Sequence, residues 1–331
     1  MIIKRSELMR VGVLALEDCT PLTMIGPMEI LRKAGQFCQS MNGLQKPFFD
    51  VQIVSSGPKM INTANGYPIF CHANIHDVDK LDLIIIPGLD GDVEKQLQIN
   101  YSFVPWIKDM YNKGSQVASI CTGAFLLAET GLMNGKNTTT HWIAVDLFRQ
   151  RYPDVDLLPE KIIVDNGNIY SCGGATSYQN LMIYLVEKFC GIEVAHYTAK
   201  MLLIDINKNS QSFYSIFSTQ KSHTDELILK IQNFIEQNYE VDLSLDLLSE
   251  YFAISKRTLI RRFKKATSNT PHEYIQRVRV EAAKKKLETS NLTVSQIINK
   301  VGYEDPLAFR KIFKKFTGSS PLDYRNKFSF T

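Results

Sequence analysis

None of the six cysteines (Cys19, Cys38, Cys71, Cys121, Cys172 and Cys190) lies in a C-x-x-C pair, and the last 141 residues hold none. That spacing supports neither a zinc site nor a disulfide framework; scattered thiols in a reducing compartment are the expectation. No stretch approaches the ~20 apolar residues of a membrane span. The opening MIIKRSELMRVGVLAL has a strand-length apolar run with no small-residue cleavage site after it, which argues against a signal peptide. Low-complexity tracts are absent as well. These absences point to a cytoplasmic protein with no membrane partner, no metal and no cofactor.

What is present is ordinary globular composition: 331 residues, 44% apolar and 22% charged, enough for two domains with real cores. The net charge of +4 hides an asymmetry. Residues 1–221 carry 19 Lys/Arg against 21 Asp/Glu, whereas residues 253–331 carry 18 against 6. A basic terminal region beside a near-neutral one implies an anionic polymer as partner, most simply nucleic acid.

Over residues 10–195 strand and helix signals alternate. VGVLAL (11–16), FFDVQIVSS (48–56) and LDLIIIPG (81–88) read as buried strands. PLTMIGPMEILRKAG (21–35), SFVPWIKDMYNKG (102–114) and YQNLMIYLVEKFCG (178–191) read as helices with glycine stops. SQVASICTGAFLLAETGL (115–132) reads as strand, tight turn and helix, and IIVDNGNIYSCGG (162–174) as a hairpin with an Asn-Gly turn. The alternation predicts an α/β doubly wound parallel sheet. Residues 205–222 are polar and aperiodic, so the chain divides into a domain over 1–200, a linker over 201–221 and a domain over 222–331. Beyond the linker only helical periodicity remains, predicting an all-α double helix-turn-helix domain.

In LSLDLLSEYFAISKRTLIRRFKKAT (243–267), Ser244 and Ser255 are placed to cap two helices separated by Ala253-Ile254. Leu259, Phe263 and Ala266 form the buried stripe of the second helix. Arg257, Arg261 and Lys264 fall opposite, flanked by Thr258 and Lys265. LTVSQIINKVGYEDPLAFRKIFKKFT (292–317) echoes this at an offset of 50 residues. Thr293 and Asp305 are the caps, Gly302 the turn and Pro306 the first helical position. Phe309, Phe313 and Phe316 repeat the buried stripe, with Leu307, Lys311 and Lys314 opposite and Arg310 and Lys315 beside them. A helix starting at Pro271 joins the two units. Each has the form whose second helix enters a major groove, and successive grooves on one face of DNA lie ~34 Å apart.

Residues 222–331 resemble the AraC/XylS family DNA-binding domain, through SKRTLIRRFKKATSNTPHEYIQRVRVEAAKKKLETSNLTVSQIINKVGYEDPLAFRKIFKKFTGSSPLDYR. The resemblance implies base reading by Arg257, Thr258, Ile260 and Arg261, and by Leu307, Arg310 and Lys311. Lys264, Lys265 and Lys314 complete the expected DNA-facing set. Ile260 and Leu307 stand where polar readers are common; they either touch thymine methyls or do not read sequence.

In the N-terminal region, Cys121 lies on a strand-to-helix elbow, which would expose the thiol at the carboxyl edge of the sheet. The positive end of the following helix is expected to lower its pKa. His141, in TTTHW, is a possible partner, and PGLDGD (87–92) a source of backbone N–H groups for an oxygen anion. IIIPGLDGD, SICTGAFLLAETGLMNGKNTTTHW and YSCGGATSYQNLMIYLVEK resemble the ThiJ/PfpI family, whose flavodoxin-like sheet is related to class I glutamine amidotransferases. The fusion order resembles that of the GlxA-like regulators.

Enzymes of that family place a His after the elbow cysteine and an acid near the thiol from the loop after the first strand. Here those places hold Thr122 and Leu22-Thr23-Met24, with Glu17 and Asp18 offset. The resemblance therefore implies no catalytic residue, but a ligand pocket walled by Cys121, Thr122, His141, Gly88 and Thr23, and dimerisation through this domain. Together these readings predict a transcription regulator, an activator by family habit. It would bind double-stranded promoter DNA as a homodimer, answer a small-molecule effector and meet RNA polymerase. Two alternatives stay open: a thiol-dependent hydrolase or deglycase, and a redox or electrophile sensor built on Cys121.

Overall fold

The computed structural model describes residues 8–207, 210–221 and 223–328, and the chain splits into two compact units, Met1–Gln211 and Ser212–Thr331. Residues 1–7, where the signal-peptide reading begins, lie outside the described residues, as do 208, 209 and 222 of the polar stretch.

The first unit is built on a seven-stranded sheet. Its strands run, edge to edge, Ile163–Asp165, Ile169–Cys172, Gln116–Ile120, Leu83–Ile86, Met9–Leu14, Phe49–Ser55 and Ala73–Asn74. Every neighbouring pair is parallel except the first, which is the antiparallel hairpin expected at Asn166-Gly167. Leu83–Ile86 is buried along its whole length. Its continuous apolar run, without alternation, is what a strand covered on both faces requires. Each such fully buried Leu or Ile contributes roughly 1.5–3 kcal/mol relative to exposure. The helices Leu22–Asn42, Tyr178–Cys190 and Ile192–Met201 pack on one another, and Phe103–Asn112 packs on Gly123–Glu129.

The first helix runs past the stop expected at Gly35, to Asn42. Gly35 serves packing instead: a Cβ there would stand 2.9 Å from the Phe49 amide nitrogen. The helix stops at Gly43, which adopts a left-handed conformation and returns its N–H to the Gln39 carbonyl.

The second unit is all-helical: Glu226–Asn238, Leu245–Tyr251, Lys256–Thr267, Pro271–Thr289, Val294–Lys300, Pro306–Thr317 and Pro321–Phe328. It has two separate cores. Ile231, Leu248, Leu259, Phe263 and Tyr274 belong to one, and Ile298, Phe309, Phe313 and Tyr324 to the other. Pro271–Thr289 contributes Tyr274 and Val278 to the first and Val280 and Leu287 to the second. Each expected cap forms. Ser244, Ser255 and Asp305 accept from Leu247, Thr258 and Leu307 N–H, and Thr293 forms a reciprocal box with Gln296.

The stretch read as a linker is built into both units. Gln211 is buried in the first, while Phe213 stacks on Tyr324 and Phe217 meets Tyr274 edge-on in the second. Polar composition concealed this because the packing is done by single side chains without periodicity. Among the described residues, no helix is long and apolar enough to cross a membrane. No group of three or more His, Cys, Asp or Glu among them could hold a metal ion.

Candidate nucleic-acid interface and thiol elbow

The helices Lys256–Thr267 and Pro306–Thr317 are oriented by full burial of Leu259 and Phe263 in one and Phe309 and Phe313 in the other. Ala266 and Phe316, expected in the same stripes, are only half-buried. With those faces inward, Arg257, Ile260, Arg261, Lys264 and Lys265 are exposed on the first helix, and Leu307, Arg310, Lys311 and Lys314 on the second. Thr258 is half-buried, and its hydroxyl accepts from Ser255 Oγ at 2.9 Å, so it belongs to the cap as much as to the outer face.

Charge pairing sorts the cations of this unit into two classes. Lys256 pairs with Asp246, Lys221 with Glu236, and Lys284 with Glu281. Arg262 grips Asp225 through two bonds, Nε at 3.0 Å and Nη2 at 2.6 Å. That grip holds the Asp225 carboxyl below its ordinary range. Arg257, Arg261, Lys264, Lys265, Arg310, Lys311 and Lys314 form no ion pair among the described residues. Seven uncompensated cations on two matched helix faces make a surface suited to a polyanion.

Asp225 and Arg262 were not singled out by sequence reasoning. The available signal was local: Asp225 precedes an apolar-periodic run and caps Glu226–Asn238 through Ile228 N–H. Its second duty to Arg262, 37 residues away, had no local signal.

In the first unit, the elbow forms as expected. Cys121 has φ of 56°, a left-handed conformation uncommon outside glycine. Four of the five expected pocket residues converge there. A Cβ placed on Gly88 would lie 3.2 Å from Cys121 Cβ and 3.5 Å from both Thr122 Oγ1 and Thr23 Oγ1. His141 stands one residue beyond Thr140, whose hydroxyl donates to the Cys121 carbonyl at 2.9 Å.

Two expectations about this elbow are overturned, while His141 takes the structural role. First, Cys121 is only 7% exposed, and burial pushes its thiol up from the ordinary value, outweighing the lowering effect of the Thr122 N–H and hydroxyl. Secondly, the Gly88 N–H is not free for an anion: it donates to Thr23 Oγ1 at 2.9 Å, and the Gly91 N–H to its neighbour Asp90 at 2.8 Å. His141 Nδ1 accepts from Ile143 N–H at 3.1 Å, closing a short 3-10 turn over Trp142–Ala144, a structural hydrogen bond rather than a base poised at the thiol. Burial lowers its pKa, favouring the neutral imidazole. Glu17 and Asp18 are occupied elsewhere, with Asn62 N–H and the Gln96 side chain; the carboxylate whose charge reaches Cys121 is Asp90. No hydrogen bond joins thiol to imidazole among the described residues. With the thiol buried and no base bonded to it among the described residues, this geometry does not present an activated nucleophile.

Residues 9–188 match the DJ-1/PfpI family, and residues 248–327 match a helix-turn-helix domain. The chain is 23% identical over 316 residues to the HTH-type transcriptional regulator GbdR of Pseudomonas aeruginosa, covering 95% of this chain and 83% of that one. It is 25% identical over 188 residues to an isonitrile hydratase of Pseudomonas putida, covering 56% of this chain and 75% of the enzyme. A crystal structure of an AraC family transcriptional regulator from Pseudomonas putida shares the fold over 59% of this chain and 99% of that one, with a TM-score of 0.51 at 17% identity.

Proposed function

This chain belongs to the DJ-1/PfpI family and carries an AraC-type helix-turn-helix domain, which makes it a DNA-binding transcription regulator, and we propose that it is a cytoplasmic activator working as a homodimer. The C-terminal unit binds promoter DNA through Arg257, Ile260, Arg261, Lys264 and Lys265 and through Leu307, Arg310, Lys311 and Lys314, with Thr258 at the rim. The N-terminal unit is non-catalytic. It dimerises and takes a small-molecule effector beside Cys121, Thr122, His141, Gly88 and Thr23. The observation that carries this reading is the set of seven unpaired cations on two equivalent helix faces.

Exposed Leu22, Ile25, Ile192, Tyr197 and Met201 on the N-terminal unit supply apolar surface for a second copy. The effector acts by favouring one arrangement of the dimer over another, to the extent of its differential affinity for the two. Contact with RNA polymerase follows from activation at a promoter. Relatives of the N-terminal unit include an enzyme, but a thiol raised in pKa and unpaired with a base favours ligand binding over hydrolysis here.

Genomic footprinting of the tagged protein tests this, comparing wild type with Arg257→Ala/Arg261→Ala. A few sharp promoter peaks, lost in the double variant, are expected. Absence of discrete peaks from well-expressed wild type would overturn the regulator reading. Cys121→Ala separates the enzyme: it abolishes a thiol-dependent activity and leaves promoter occupancy in place.

A further inference from the structure

The two recognition helices correspond residue by residue. Each has twelve residues, Lys256–Thr267 and Pro306–Thr317, and each ends on a left-handed residue. Those residues, Ser268 and Gly318, return their N–H groups to the Lys264 and Lys314 carbonyls at 2.9 and 2.8 Å. Leu259 matches Phe309 and Phe263 matches Phe313, all fully buried, so both helices present the same angular face outward.

On that common scaffold three exposed positions keep their chemistry. Lys264 answers to Lys314, Lys265 to Lys315 and Arg261 to Lys311. Lys256 gives way to Pro306 at the first helical position, and two further exposed positions change in opposite senses. Arg257 answers to Leu307, and Ile260 answers to Arg310. The first helix thus carries a guanidinium in its opening turn and an apolar side chain one turn later; the second carries them in reverse order. Ile260 is 37% and Leu307 66% exposed, too open for either to serve the core.

A guanidinium fits guanine O6 and N7 through two bonds, whereas a branched apolar side chain offers no hydrogen bond and complements the thymine methyl. Recognition-helix residues meet base edges chiefly at the N-terminal end. We propose that the two half-elements of the operator are chemically inverted. Each contains a guanine contact and a thymine-methyl contact, but their order, in each helix's own frame, is reversed between the halves. The half-elements are therefore not copies of one sequence, and Arg257, Ile260, Leu307 and Arg310 set the difference. This rests on the proposed reading of the two faces as base readers.

The test is selection of randomised double-stranded DNA by the full-length protein, wild type against Arg257→Leu/Ile260→Arg. Wild type should enrich two dissimilar elements one helical turn apart, 10–10.5 base pairs centre to centre by the geometry of such pairs. The swapped variant should make the first element resemble the second. A second measurement does not depend on that variant folding. On the wild-type consensus, deoxyuridine replaces the thymine facing the second helix, removing only a methyl group. Wild-type affinity should fall about fourfold, as one buried methyl predicts, and Leu307→Ala should show no further loss. Enrichment of two identical elements, or equal losses in wild type and Leu307→Ala, would overturn the inversion alone. Failure of wild type to enrich any sequence would sink base reading itself, and the inversion with it.

Discussion

Ala253 and Gly302 stand at the same turn of the two helix-turn-helix units, both left-handed, with φ of 48° and 79°; Ala253 is exposed, whereas Gly302 is enclosed by backbone. A Cβ at 302 would lie 2.8 Å from the Tyr239 carbonyl and 2.9 Å from that of Glu240. Those carbonyls lie just past the end of the helix Glu226–Asn238, where Arg279 also binds, donating to the Tyr239 and Val241 carbonyls at 2.9 Å each. Ala253 therefore carries a conformational strain, ~1–2 kcal/mol for an L-residue, that Gly302 avoids.

Opposite effects are expected from converting one residue into the other. Ala253→Gly should leave the C-terminal unit slightly more stable, by up to about 1 kcal/mol, because relief of strain is partly offset by unfolded-state entropy. Gly302→Ala should cost about 2 kcal/mol or more, adding steric overlap to the strain. Urea denaturation midpoints check both, and equal effects would show that the two turns are not differently enclosed.

Alkylation of Cys121 should be slow at neutral pH. Burial holds the protonated form, so the thiolate appears only above the ordinary thiol value of 9.0. The sign for stability follows. The folded-state pKa is raised, so the contribution is fully present below pH 9.0 and is lost as pH rises toward the folded value. Peptide-resolved iodoacetamide labelling between pH 7 and 10 measures the first effect. Rapid labelling at pH 7 would instead support the electrophile-sensor reading.

Lys264→Ala and Lys314→Ala should each weaken DNA binding similarly on all sequences and reduce the slope of log K against log salt by about 1. Titrations at several salt concentrations distinguish this from Arg261→Ala, which should also relax base preference. An unchanged salt slope would remove that lysine from the phosphate contacts.

Gln211→Ala should destabilise the N-terminal unit by about 2 kcal/mol, within the ~1–3 kcal/mol cost of stranding buried polar groups. The Gln211 side chain donates to the Thr140 carbonyl at 2.8 Å and Thr139 Oγ1 at 3.1 Å, and accepts from Gly174 N–H at 3.2 Å. Thermal denaturation followed by a probe in this unit reads the change. A shift no larger than that of an exposed Gln→Ala control would contradict the anchoring role.

The short strand Ala73–Asn74 and the helices Val93–Ile99, Val145–Arg151 and Ile192–Met201 had no reading of their own, but the other strands of the main sheet, the caps, the Asn-Gly hairpin, the elbow at Cys121 and the echo between the two recognition helices were legible in the amino-acid sequence. Each is set by residues within one or two turns of chain: a side chain and the N–H three residues on, an apolar period, a glycine or proline at a boundary. The outward faces of Lys256–Thr267 and Pro306–Thr317 follow from the same local period. The chemistry at their surfaces did not. Only the tertiary structure decided which cations are spent on neighbours, as Arg262 is on Asp225, and which remain uncompensated. It decided that Gly35 is a contact and not a stop, and that Gly88 N–H is already taken by Thr23, 65 residues away. It also decided that Cys121 is buried with its thiol pushed up, and that Gln211 reaches back 71 residues to Thr140. These outcomes depend on desolvation and on partners brought together by folding, and neither quantity is written in any local stretch of chain.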